Sequence, residues 1–125
     1  FAFIQHKEGT FVEATLVSTK AAVQSYVASL PKGDGVWTNV SLVNAPGADS
    51  YPIASFSYLL LYKELSTDPN LDQAKAKALV DFISWAITEG QKTAEGLDYV
   101  PLPDGVVKLN QDTLKSLTFN GQPIV

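Results

Sequence analysis

The feature that most constrains this chain is the run Phe56-Ser57-Tyr58-Leu59-Leu60-Leu61-Tyr62. Successive side chains of an extended strand point to opposite sides, so an apolar run that hardly alternates asks for cover on both faces. Strands of that kind sit inside α/β sheets, with helices above and below. The run is strand-sized, well short of the ~20 apolar residues of a membrane-spanning helix. A length of 125 residues suits one ordinary domain, and 46% apolar with 18% charged residues is the balance of a soluble globular protein.

The remaining elements follow from periodicity and punctuation. Phe1 to Gln5 is a short apolar segment that reads as the middle of a strand. It lacks both an initiator methionine and the basic-then-apolar layout of a signal peptide, which fits a processed chain or a piece of something longer. A turn over Gln5 to Gly9 and a brief strand over Thr10 to Glu13 come next. Leu16, Val23, Val27 and Leu30 recur at helical spacing, so a helix starts at Thr15 or Ser18, with Ser18 as its expected N-cap and Pro31 as its stop. Lys32 to Gly35 connects to Trp37–Val43, which alternates well enough for a half-buried strand. Asn44-Ala45-Pro46-Gly47-Ala48-Asp49-Ser50 is dense in turn formers and marks a boundary.

Beyond the apolar run, Ser66-Thr67-Asp68-Pro69 reads as a helix start, with Asp68 as N-cap and Pro69 at the first helical position. That helix carries Ala78, Leu79, Phe82, Ile83, Ala86 and Ile87, with Trp85 beside them. The broad stripe predicts that Phe82 and Trp85 are buried against the Phe56–Tyr62 strand. Gly90 ends or bends the helix, Thr93 to Gly96 adds a turn, and Leu97 to Pro103 is extended. A last helix spans about Asp104 to Leu117, and Asn120 to Pro123 reads as a loop. The order is strand, helix, strand, boundary, strand, helix, helix, which is α/β in character but short of strands for a free-standing sheet.

Composition excludes several chemistries. There is no cysteine, hence no disulfide, thiolate metal site or cysteine nucleophile. All nine basic residues are lysine and the net charge is −4, which argues against a nucleic-acid surface and leaves no guanidinium fork for an oxyanion. His6 is the only histidine and has no partner at metal-ligand spacing, so it is expected as a solvent-exposed turn residue. Glu89 with Glu95, and Asp98 with Asp104, read as solvated or capping carboxylates rather than an acid/base pair. No phosphate-loop glycine pattern and no G-x-S-x-G occurs. A helix amino terminus near Ser18 could still offer N–H groups to an anion, more readily than one capped by Asp68.

Four segments, in order, resemble one family. They are Ile4-Gln5 to Gly9 with Phe11-Val12-Glu13 and Thr15-Leu16; Asn44 to Ile53 with the following run to Lys63; Phe82-Ile83-Ser84-Trp85-Ala86 with Thr88-Glu89-Gly90-Gln91; and Leu97-Asp98-Tyr99-Val100-Pro101-Leu102-Pro103. Together they are similar to the carboxy-terminal part of the phosphate-binding receptors of ABC-type phosphate importers. The resemblance implies part of a two-lobed, periplasmic-binding-protein-like fold of type II. On that template residues 1–48 end the second lobe, 49–58 form the hinge crossing through Ser50, Tyr51 and Pro52, and 59–125 complete the first lobe. It implies inorganic phosphate as ligand, importer membrane subunits as partners, no cofactor and a periplasmic or extracellular location with anchoring through a preceding segment. The family's phosphate ligands lie in earlier parts of its chain, so no phosphate-binding residue is expected here. A receptor for another oxyanion, or a protein-interaction module retaining half of the fold, are the alternatives; a hydrolase has the least support.

Overall fold

A computed structural model describes residues 2–125; the strand reading for Phe1 lies outside the described residues. The described residues are mixed α/β: three α-helices, four short 3-10 turns and two antiparallel two-stranded sheets. β1 (Phe3–Gln5) pairs with β2 (Phe11–Glu13), with Ile4 opposite Val12. The turn between them closes through His6 N–H to the Thr10 carbonyl at 2.7 Å and Gly9 N–H to the His6 carbonyl at 2.8 Å. Gly9 takes φ +93°, a conformation a side chain would strain.

α1 spans Leu16–Tyr26 and passes into a 3-10 turn, Val27–Ser29, before Pro31. Its N-cap is Thr15, not Ser18. Ser18 occupies the third helical position and completes a capping box: Thr15 Oγ1 accepts from Ser18 N–H, and Ser18 Oγ accepts from Thr15 N–H, both at 3.1 Å. Ala22 and Val23 face inward against Leu42, Ala45, Ala54 and Val106, forming the first of two apolar clusters.

α2 (Gln73–Ala86) begins four residues beyond the expected start, at an Asp72 N-cap whose carboxylate accepts from Lys75 N–H at 2.8 Å. Asp68 instead closes a local turn, accepting from Asn70 N–H at 2.9 Å. Ala76, Val80, Ile83 and Ile87 lie on one stripe and pack with Leu65, Leu114, Leu117 and Ile124 as the second cluster. Phe82 and Trp85 are on the other side of α2, 59% and 53% exposed, contrary to the burial expected of them. The stripe was broad enough to admit two phases, and the aliphatic one won.

α3 (Asp104–Lys115) joins the clusters, with Val106 in the first and Leu114 in the second. A Cβ on Gly105 would lie 2.3 Å from Val27 Cγ1, and one on Gly33 2.1 Å from Thr113 Oγ1, so both ends of α3 meet the amino-terminal half at glycines. The tail is a hairpin rather than a loop: β3 (Thr118–Phe119) pairs with β4 (Gln122–Pro123) through Asn120 and Gly121, both at positive φ.

Two expected strands are not formed. Residues 37–43 fold as turns, with Val40 N–H bonded to the Trp37 carbonyl at 3.0 Å. Residues 56–62 form no regular secondary structure and belong to no sheet, and 58–62 are exposed. An apolar strand needs neighbours on both edges, and two-stranded sheets elsewhere in the chain cannot supply them.

Candidate functional site

The expected hinge residues sit in a bend that folds on itself and on α1. Ser50 is buried; its N–H donates to the Gly47 carbonyl at 2.9 Å and its Oγ to the Pro46 carbonyl at 2.8 Å. Tyr51 N–H donates to the Ser18 carbonyl at 3.0 Å, and the Pro52 carbonyl accepts from Asn44 N–H at 2.9 Å. Gly47 at φ +102° and Asn44 at +49° allow the reversal, and Asn44 Oδ1 is buried without a partner.

His6 belongs to this bend and is not exposed. It is 1% accessible, correcting the reading of a solvated turn residue. Glu8 N–H donates to Nδ1 at 3.2 Å, which leaves Nε2 to donate to the Ala45 carbonyl at 2.8 Å. Thr10 Oγ1 donates to the Ala48 carbonyl at 2.7 Å, and Glu8 Oε1 accepts from Gly47 N–H at 3.4 Å. Three side chains of the β1–β2 turn thus hold Ala45 to Ala48. Residues 39 positions apart are joined by groups that form no recognisable motif, so spacing could not reveal them.

The apolar run leaves this bend. Trp37 stands edge-on to both Phe56 and Tyr58, with centroids 6.5 and 5.9 Å away. Beyond Tyr58 that cover ends. An open depression lined by Leu60, Leu61 and Tyr62 contains no charged group.

The chain's densest donor set follows immediately. Glu64 Oε1 accepts from Ser66 N–H (3.1 Å), Ser66 Oγ (2.6 Å) and Asn120 N–H (2.9 Å). Its Oε2 accepts from Thr118 Oγ1 (2.8 Å) and Gly121 N–H (2.9 Å). The Ser66 hydroxyl and then the Gly121 amide hold the carboxyl down to about 2 from its ordinary 4.5. This is an anion cradle in every respect except that its anion is part of the protein. Sequence reading passed over Glu64, because three of its five donors come from a hairpin 54 to 57 residues away.

Elsewhere, Glu89 and Lys92 form an exposed ion pair, and Asp104 lies exposed in the first turn of α3. Glu95 and Asp98 lie in and beside an exposed 3-10 turn. Among the described residues no group of three or more histidine, aspartate or glutamate side chains is placed to hold a metal ion, and no helix is long and apolar enough to cross a membrane.

No protein-family model matches the chain. It is 35% identical over 119 residues to the phosphate-binding protein PstS of Methanocaldococcus jannaschii, an alignment covering 93% of this chain and 30% of that protein. To the phosphate-binding protein PstS of Pasteurella multocida it is 34% identical over 116 residues, covering 93% of this chain and 31% of the relative. A more distant match, 27% identical over 117 residues, covers 92% of this chain and 7% of an Acanthamoeba polyphaga mimivirus protein provisionally named a serine/threonine-protein kinase/receptor. The chain therefore spans about 30% of the length of the two phosphate-binding relatives.

Proposed function

We propose, for a chain homologous to the carboxy-terminal part of the PstS phosphate-binding proteins, that it forms one portion of a two-lobed phosphate receptor serving an ABC-type importer. The observation that carries this reading is identity of 34–35% sustained over 93% of the chain with two proteins named for phosphate binding. On this reading residues 1–48 end the second lobe and 59–125 complete the first. The crossing lies at 49–58, with Ser50, Tyr51 and Pro52 as its hinge. Proline at 52 fixes φ there and limits how the crossing segment bends. A receptor of this kind works outside the cytoplasmic membrane and hands phosphate to the importer's membrane subunits.

Phosphate affinity on this reading requires the portion of the fold that lies outside these 125 residues. A dehydrated oxyanion must exchange its hydration for a dense set of donors. This chain has no arginine, and its densest donor set is filled by the Glu64 carboxylate. The net charge of −4 disfavours an anion further, though weakly at physiological salt.

Calorimetric titration with inorganic phosphate tests the reading. The isolated chain is expected to give no saturable heat, and the chain joined to the rest of a receptor is expected to bind one phosphate. Tight one-to-one binding by the isolated chain contradicts it. Retention of a competing oxyanion in place of phosphate by the joined protein favours the other-oxyanion alternative.

A further inference from the structure

We propose that Asn120-Gly121 is a site of spontaneous deamidation, and that the Glu64 carboxylate keeps it unreactive for as long as the tail hairpin is closed. The proposal is independent of the receptor reading.

The sequence contains one Asn-Gly pair, at the turn between β3 and β4, and both of its residues are exposed. Glycine puts no side chain beside the peptide nitrogen, so that nitrogen can reach the asparagine side chain with little hindrance. In the reaction Gly121 N gives its proton to solvent and attacks Asn120 Cγ. The new N–Cγ bond closes a five-membered succinimide ring, and the side-chain nitrogen takes up a proton and leaves as ammonia. Water then opens the ring at one of its two carbonyl carbons. The product is aspartate, or isoaspartate with the main chain running through Cγ. One water is consumed and one ammonia released, with no change of oxidation state.

Glu64 opposes the attack by geometry. Asn120 N–H donates to its Oε1 and Gly121 N–H to its Oε2, each at 2.9 Å. Those two amides flank the Asn120 Cα, so one carboxylate clamps the backbone torsions between them. Ring closure needs the Asn120 Cβ and the Gly121 nitrogen on the same side of the Cα–C bond. A primed two-residue turn, here with φ +51° and +73°, holds them apart. Charge acts in the same direction. The attacking nitrogen must become negative beside a group that is already negative. The Ser66 hydroxyl and then the Gly121 amide hold the Glu64 pKa to about 2, so the group stays anionic at neutral pH and is a weak base for the Gly121 proton.

Reaction would undo the hairpin that Glu64 organises. Isoaspartate adds a main-chain carbon to a turn whose register sets Phe119 opposite Gln122. Either product also adds a carboxylate to the residue whose amide Glu64 holds. Ile124, just beyond β4, is buried in the second cluster and loses its strap when that turn fails.

The test is to incubate the full chain at mildly alkaline pH and follow Asn120 by peptide mass mapping, which separates aspartate from isoaspartate. The urea-unfolded chain gives the unrestrained rate. The folded parent should react at least about tenfold more slowly than that, and Glu64→Gln at least about tenfold faster than the parent, the factor for losing a hydrogen bond to a charged group. Val23→Ala loosens the first cluster instead and should stay near the parent rate while folded. Equal rates for the parent and Glu64→Gln overturn the proposal, as does a folded parent that reacts as fast as the unfolded chain. Acceleration by Val23→Ala equal to that by Glu64→Gln also overturns it, because general opening would then set the rate. If Glu64→Gln does not fold, Ser66→Ala decides, since it removes the 2.6 Å donor that steadies the carboxylate. A rate above the parent's then supports the proposal, and a rate equal to the parent's overturns it.

Discussion

Two stretches that meet at Lys63 have opposite fates. On the carboxy-terminal side, Glu64 has donors on both oxygens and Leu65 is 1% accessible at the centre of the second cluster. On the amino-terminal side, five consecutive large apolar residues, 58–62, stand exposed. The composition of the exposed stretch is the more hydrophobic of the two. Burial here follows from what the chain can bring to each stretch. The Asn120-Gly121 hairpin and α2 return to Leu65, whereas among the described residues no segment covers Leu60. Hydrophobicity sets the demand for cover, and topology decides whether the same chain meets it.

The sharpest way to break this comparison is to truncate one leucine on each side. Leu65→Ala should lower stability by about 2–5 kcal/mol, the range for emptying a packed leucine site. Leu60→Ala should change it by no more than about 0.5 kcal/mol, as for surface positions. Denaturant titration of the two variants checks both, and similar losses would mean that Leu60 has cover in solution.

Glu64 provides a second, pH-dependent contrast. Its folded pKa is depressed, so the stability it contributes is fully present above about 4.5 and is lost as pH falls from there towards about 2. Glu64→Gln should therefore lower the urea midpoint at pH 7, since its amide nitrogen would face N–H donors. The gap from the parent chain should close as the pH is brought towards 2. An unchanged midpoint at pH 7 would mean that water already satisfies those donors.

The smallest effect is expected at Phe82. It lies on the open side of α2, 6.0 Å from Trp85 centre to centre. Phe82→Ala should cost at most about 1 kcal/mol rather than the 3–5 kcal/mol typical of a core aromatic. A loss in the larger range by thermal or denaturant unfolding would show that this face is covered.

These particulars also show which parts of the fold could be read from residues alone. α1, α2 and α3 were legible because period-3.6 stripes and nearby prolines leave little else possible, although their caps were not. Asp68-Pro69 has better N-cap chemistry than Asp72, but Asp68 is used by its own turn. The tail hairpin was legible in principle from Asn120-Gly121, the commonest two-residue turn, and was passed over because its strands have only two residues each. Phe82 and Trp85 were misassigned because α2 is apolar on more than one side. His6 and Glu64 could not be found by spacing, since the partners that tie them to the rest of the fold lie 39 and 54–57 residues away. The reading of Phe56–Tyr62 as a strand covered on both faces did not hold: among the described residues the run joins no sheet, and 58–62 are exposed.

The most direct measurement is residue-resolved hydrogen exchange on the isolated chain. The account predicts near-unstructured exchange rates at Leu59, Leu60 and Leu61, and strong protection at Val80, Ile83 and Leu114 within α2 and α3. Protection of the three leucines comparable to that of the helices would contradict it, because the chain would then be covering its own apolar run.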